Sequence, residues 1–335
     1  MTITGTPSKF HAAFNPIIFE VTQSSATEAS AALPIYDENG ILVATLTRTF
    51  YDTTTKFDVS NVVNKMFSTS EPIFIAGVAV DKRLFVKYKV GGVWYIAINA
   101  AIDMGRTSSL TGQVGLILSK FSKVTVYANY PFDISVLVDA AFSGLTAESV
   151  NRIQDAANFV QNTSNVVYLL DNSGDYILDN LLNYIILDRT GGSATGSLFV
   201  VENGCIPPNP FYVRWVNNSG GLDYWMFSVS QDVKTSLKSS SSFRKFYTDT
   251  EAERGSSVSY AKEAEDIVTA GSVDLTSEQY QALSAIPFSP MIEWFNEDIQ
   301  KWVRLSIDKE DNTQITRQTR QTIEITFILP QRNLQ

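Results

Sequence analysis

The chain has 335 residues, enough for two or three domains of about 100–150 residues each. Hydrophobic residues make up 44% and charged residues 18%, so the composition is that of a globular chain with few charges rather than of a disordered one. A net charge of -9, with 26 basic against 35 acidic residues and no Lys/Arg run, argues against nucleic-acid binding through phosphate neutralisation.

One cysteine, Cys205, excludes an intrachain disulfide framework and a multi-cysteine metal cluster. One histidine, His11, excludes a two-histidine zinc site and the HExxH motif. Cys205 is expected to be an inert buried or half-buried thiol, and His11 to sit in a mobile terminus. Met1 to Phe10 lacks the pattern of a signal peptide, and the longest apolar runs, Ile73 to Val80 and Val93 to Ala101, fall short of the roughly 20 residues that span a bilayer. Folding in a cytoplasm without membrane insertion is the expectation.

In chain order, Phe14 to Val21 reads as a strand with Pro16 near its start. Ala32 to Tyr36 and Ile41 to Thr49 flank Asp37-Glu38-Asn39-Gly40, whose Asn-Gly step signals a hairpin. Asp58 is placed to cap a short helix with Val59, Val62, Val63, Met66 and Phe67 along one face. Strands follow at Ile73 to Val80, Leu84 to Val90 and Val93 to Ile102, the last two joined by Gly91-Gly92, then at Gly112 to Leu118 and Lys123 to Tyr130. Regular short strands with tight turns favour an antiparallel sandwich or barrel.

Phe132 to Val138 reads as a buried strand, whereas Val150, Ile153, Ala156, Ala157 and Val160 keep helical spacing and predict a helix within Leu145 to Val160. Strands resume at Val166 to Leu170, Tyr184 to Leu187 and Ser197 to Val201. Pro207, Pro208 and Pro210 then impose an extended approach to the most clearly defined local structure, a hairpin of Phe211 to Val216 and Leu222 to Phe227 around Asn217-Asn218-Ser219-Gly220-Gly221. Its aromatic residues Phe211, Trp215, Trp225 and Phe227 are the predicted structural core of the hairpin, a packing nucleus in preference to a ligand platform.

Lys234 to Ser242 is serine-rich and reads as a loop or sheet edge, with Phe243 to Tyr247 and Val258 to Ala264 able to pair beyond it. Thr276 and Gln279 form a capping box before a short helix through Tyr280, Leu283 and Ile286. Strands at Met291 to Phe295, Trp302 to Ile307 and Gln321 to Leu329 close the chain, the last with Ile323, Ile325, Phe327 and Leu329 on one face. The expected fold class is mainly β, with antiparallel sandwich or barrel domains and a few short helices. The expected divisions are residues 1–130, 131–235 and 236–335, the middle one holding the aromatic hairpin.

No stretch carries recognisable chemistry. His11 is far in sequence from Cys205, and the Gly191–Gly196 stretch lacks the Lys-Ser/Thr of a phosphate loop. Asp171-Asn172-Ser173-Gly174-Asp175 offers oxygen ligands without the distal Glu of an EF-hand. A carboxylate pair such as Asp223 with Glu202 is the best that glycoside hydrolysis could use, and surface or turn placement is the expected reading for both. Catalytic, cofactor and metal residues are therefore expected to be none.

FNPIIFEV near the start, the proline-led FYVRWVNNSGGLDYWMF, and SPMIEWF, KWVRLSI and TIEITFILP near the end together resemble virion structural proteins of tailed bacteriophages, especially those of Bacteroides-like bacteria. The closing order of short helix, Ser289-Pro290, strand, charged turn and paired strands is similar to distal-tail or baseplate subunits. The resemblance implies a non-enzymatic ring or adaptor subunit of the virion at the tail tip, distal tail or baseplate, with itself and other virion proteins as partners. A head-tail connector or capsid-associated role is compatible with it. The alternative is a carbohydrate-binding module that stacks host glycans on exposed members of Trp94, Trp215, Trp225, Trp294 and Trp302. The edges Phe14 to Val21 and Gln321 to Leu329 are expected to pair across subunits.

Overall fold

The computed structural model describes residues 2–25, 29–50, 52–101, 116–121, 123–139, 145–154, 158–161, 166–170, 186–188, 200–244, 257–307, 321–330 and 332–334. Alternating apolar segments between turn residues fold as short strands, and the protein is mainly β with several antiparallel sheets. Contacts divide it into two units, one of Met1–Gly204 with Val216–Asp223, the other of Cys205–Trp215 with Tyr224–Gln335.

The first unit opens with a five-stranded sheet in the order Phe10–Ala12, Val93–Ile98, Phe85–Val90, Ser30–Asp37, Leu42–Thr49. Its first pair is parallel and the others antiparallel. A three-stranded sheet places Ile18–Thr22 between Thr2–Gly5 and Thr54–Asp58. Phe19, Val21 and Phe57 from the small sheet join Leu33, Ile35, Tyr88 and Ala97 from the large one in a single buried cluster, as in a sandwich. The helix Ser60–Val63 and the 3₁₀ turn Asn64–Met66 add Val59, Val62, Val63, Met66 and Phe67 to that cluster, the face read from the sequence. Asp58 Oδ1 accepts from Ser60 N at 3.0 Å and from Ile17 N at 3.2 Å, which ties the helix start to the neighbouring loop. These bonds hold its carboxyl below the usual range against the opposing effect of partial burial.

The Gly91-Gly92 turn has φ of 58° and 87°, the left-handed conformation that a two-residue hairpin turn requires. A similar turn explains why the expected strand Ile73 to Val80 shrinks to Val78–Val80. Ala76 and Gly77 take φ of 50° and 77°, Ile75 bridges back to Val78, and Ile73 and Ile75 are 84% and 77% exposed.

Val78–Val80 is the edge of a second antiparallel sheet, ordered Leu116–Ile117, Asp133–Val138, Ser149–Gln154, Val78–Val80. The helix expected within Leu145 to Val160 is replaced by the strands Ser149–Gln154 and Asn158–Gln161. Ser149 to Ile153 are buried on both faces, so the period-two alternation that marks a strand is absent and a helical spacing of Val150 and Ile153 emerges by coincidence. The first unit also holds a parallel pair, Lys123–Tyr127 with Val200–Gly204, and an antiparallel sheet of Asn158–Gln161, Val166–Leu170 and Ile186–Asp188.

Phe211–Val216 lies between Leu222–Phe227 and Ile292–Asn296 in a four-stranded sheet that ends in Lys301–Arg304. A further sheet is built on a long antiparallel ladder of Val229–Arg244 with Ser257–Leu275, beside Gln321–Ile328 and Ser306–Ile307. The expected loop or edge Lys234 to Ser242 is thus the interior of an edge strand, in which backbone pairing outweighs serine-rich composition. Helix Ser277–Ser284 carries the predicted capping box, with Gln279 N donating to Thr276 Oγ1 at 3.2 Å and Thr276 N to Gln279 Oε1 at 2.9 Å. Ile323, Ile325 and Phe327 are buried as the alternation requires.

The two edges expected to pair across subunits are interior strands. Ile18–Thr22 has neighbours on both sides, and Gln321–Ile328 lies between Ser257–Leu275 and Ser306–Ile307. Their alternating apolar faces mark them as core strands, and core strands are filled on both edges.

Candidate functional site: the aromatic hairpin and a buried ion network

The hairpin strands form as read from the sequence, and their stem lies in the second unit. On one face Phe211 and Phe227 have ring centroids 6.5 Å apart, and both meet Phe327, at 5.3 and 5.7 Å. Trp294 stacks on Phe211 at 5.9 Å. Trp215 is fully buried, whereas Trp225 is half-buried and donates Nε1–H to Ser272 Oγ at 2.8 Å. Aromatic packing of this kind contributes burial plus about 0.5–1.5 kcal/mol per ring pair.

The opposite face went unread in the sequence. Tyr212 stacks on Tyr224 at 6.0 Å, and Trp302 packs on both, at 5.7 and 5.9 Å. Arg214 lies with its guanidinium carbon 4.1 Å from the Trp302 ring centroid and donates Nε–H to Glu293 Oε2 at 2.6 Å. The signal was present in FYVRWV, where no polar alternation marks a solvent face, so both faces had to be covered.

The hairpin tip, Val216–Asp223, belongs to the first unit. Asn217 orders the turn through Oδ1, which accepts from Ser219 N at 2.7 Å, and its Nδ2 donates to Leu118 O at 2.8 Å. Leu222 N donates to Ser135 Oγ at 3.0 Å. Gly221 is required by proximity, since a Cβ there would lie 1.9 Å from Leu118 O. Asp223, expected at the surface, is enclosed: Ser119 Oγ donates to it at 2.6 Å and Lys120 N at 3.2 Å. Burial outweighs these donors and pushes its carboxyl up to about 6. Its suggested partner Glu202 lies opposite Thr125 in the parallel pair, and the Glu202 side chain falls outside the described residues.

A second polar assembly in the first unit joins Asp81, Arg83, Asp133 and Arg152, all buried, to the partly exposed Glu71. Arg152 holds Asp133 two-pronged, Nε to Oδ1 at 2.8 Å and Nη2 to Oδ2 at 2.5 Å. Arg83 holds Asp81 through Nε at 3.0 Å and Nη2 at 2.7 Å, and Arg152 Nη1 also reaches Asp81, at 2.9 Å. Such paired charges tolerate burial because each keeps several charge-assisted hydrogen bonds.

His11 is in the strand Phe10–Ala12 and is buried, not in a mobile terminus. Its Nδ1 lies 2.9 Å from Ser8 O and its Nε2 3.0 Å from the Tyr88 hydroxyl, which fits one neutral tautomer donating from Nδ1 and accepting at Nε2. Burial lowers its pKa to about 4 and raises that of Tyr88 well above the usual value. Cys205 is exposed, contrary to expectation, because it lies in the irregular approach to the hairpin.

Among the described residues no group of three His, Cys, Asp or Glu is placed to hold a metal ion. The Asp171–Asp175 loop lies outside them. No described helix is long and apolar enough to cross a membrane. No protein-family model matches the chain, and no curated protein matches it.

Proposed function

We propose that the chain is a non-enzymatic structural subunit of a tailed-phage virion, a ring or adaptor component of the tail tip, distal tail or baseplate that associates with itself and with other virion proteins. The observation that carries this reading is the long β-ribbon of the second unit. Val229–Arg244 pairs with Ser257–Leu275 from Val229↔Gly271 out to Arg244↔Ser257. At about 3.4 Å per residue, the first strand alone extends roughly 50 Å.

Gln321–Ile328 accompanies the ribbon only along Ile267 to Leu275, and Arg332–Leu334 only along Lys262 to Ala264. Among the described residues the pairs Ser241↔Ala261 to Arg244↔Ser257 have no third strand beside them. A two-stranded ribbon has marginal stability alone, and an arm of this kind gains from contact with another chain. Ring assemblies use such heterologous contacts, where one patch meets a different patch on the next copy.

The glycan-binding alternative draws less support. Trp215 is buried and Trp94, Trp225, Trp294 and Trp302 are half-buried, so none presents a fully open ring for stacking. The test is the assembly state of the purified chain, with and without residues 241–259. Concentration-dependent oligomers that are lost on ribbon deletion are expected; a monomer at all concentrations in both forms argues against the reading.

A further inference from the structure

The guanidinium groups of Arg83 and Arg152 are each oriented by a buried aspartate, and each directs its Nη1 to a third carboxylate. Arg83 Nη1 bonds Glu71 Oε2, and Arg152 Nη1 donates to Glu71 Oε1 at 2.8 Å. One planar two-oxygen group is thus received by two converging donors, the arrangement that suits a carboxylate. The arginine side chains are 3% and 2% exposed, whereas Glu71 is 43% exposed, so the resident carboxylate is the member of the network that meets solvent.

Glu71 sits in a segment, Phe67 to Phe74, that belongs to no helix or strand. Phe74 follows it onto the same site, its ring centroid 5.0 Å from the Arg152 guanidinium carbon. Ile73 and Ile75, by contrast, point away from the core. Phe67 packs on the core cluster, Ser68 N donates to Lys82 O at 3.1 Å and Ile75 bridges to Val78, so the ends of the strap are pinned, and between them Glu71 and Phe74 meet arginines that Asp81 and Asp133 also hold.

We propose that Arg83 and Arg152 form a carboxylate-binding site in which Glu71 is a displaceable resident, so that a carboxylate from outside the fold takes its place and loosens the strap between Ser68 and Ile75. The site recognises a carboxylate from either a small acid or the acidic side chain of a second copy. It stands independently of the virion reading, since it rests only on the geometry of the first unit.

Glu71→Ala should lower the melting temperature, and sodium acetate should recover roughly 2–4 °C of it where sodium chloride at equal ionic strength does not. Acetate and chloride acting alike on the variant would overturn the proposal. If Glu71→Ala does not fold, Glu71→Gln keeps the strap without the charge, and acetate should raise chymotrypsin cleavage after Phe74 several-fold; a cleavage rate equal in the two salts would overturn it as well. Sedimentation of the full chain separates the sources. Self-association that acetate competes away assigns the carboxylate to a second copy, and acetate stabilisation of a monomer assigns it to a small acid.

Discussion

Asp223 and Ser119 are joined by a 2.6 Å hydrogen bond at a point where the carboxyl has lost its water. Burial raises the Asp223 pKa from 3.8 to about 6, so the folded chain binds its proton more tightly than the unfolded chain does. The stability this group contributes is present below about pH 4 and is lost as pH rises through about 6, a change on the order of 3 kcal/mol. Asp223→Asn should remove that loss. Chemical denaturation of wild type and variant should give a stability difference that grows in favour of the variant between pH 4 and 6.5; a difference independent of pH would show that Asp223 keeps an ordinary pKa.

His11 acts in the opposite sense over the same range. Its pKa falls from 6.5 to about 4 on burial, so the unfolded chain binds the proton first, and its contribution is complete above pH 6.5 and lost as pH falls toward 4. The two groups offset each other in the wild type. His11→Gln should therefore leave a chain whose stability falls as pH rises from 4 to 6.5, and Asp223→Asn one whose stability climbs. Parallel pH profiles for the two variants would contradict both assignments.

At the hairpin tip the test is steric. Gly221→Ala would place a methyl group 1.9 Å from the Leu118 carbonyl oxygen, where backbone must shift to admit it. The expected cost is at least the 1–3 kcal/mol or so typical of overpacking. Unchanged thermal stability would mean that the tip is not seated against Leu118.

Arg214, which is buried, pairs with the half-buried Glu293, and its guanidinium lies against Trp302. Glu293→Ala should cost about 3–5 kcal/mol because it removes the carboxylate that offsets the charge of a desolvated guanidinium. Arg214→Met together with Glu293→Leu should cost less than the sum of the single changes. Additive losses in that cycle would show that the two side chains do not interact.

Local chemistry made much of this fold legible in the sequence. Gly40, Gly91 and Gly92 take the positive φ that their turns use, and Thr276 and Gln279 form the capping box. What could not be read was burial on two faces. Ser149–Gln154 and the Tyr212 side of the hairpin carry polar groups inside, and Arg152 and Arg214 look like surface residues until their carboxylates, distant in sequence, arrive. The burial of Asp223 has the same origin, since its donors Ser119 and Lys120 come from a segment about a hundred residues earlier.

The ribbon Val229–Arg244 with Ser257–Leu275 was legible only near its far end, where Phe243 and Val258 promised a hairpin. Serine tracts lack the hydrophobic alternation that reveals a strand, although their backbone pairs as well as any other.

The claim that this chain is built into a virion is tested by electron microscopy of the native particle with a label on this subunit. Regular label at one place on the tail or its junctions, in a fixed copy number per particle, is the expected result. Particles that carry no label, from cells in which the chain is abundant and monomeric, would contradict it.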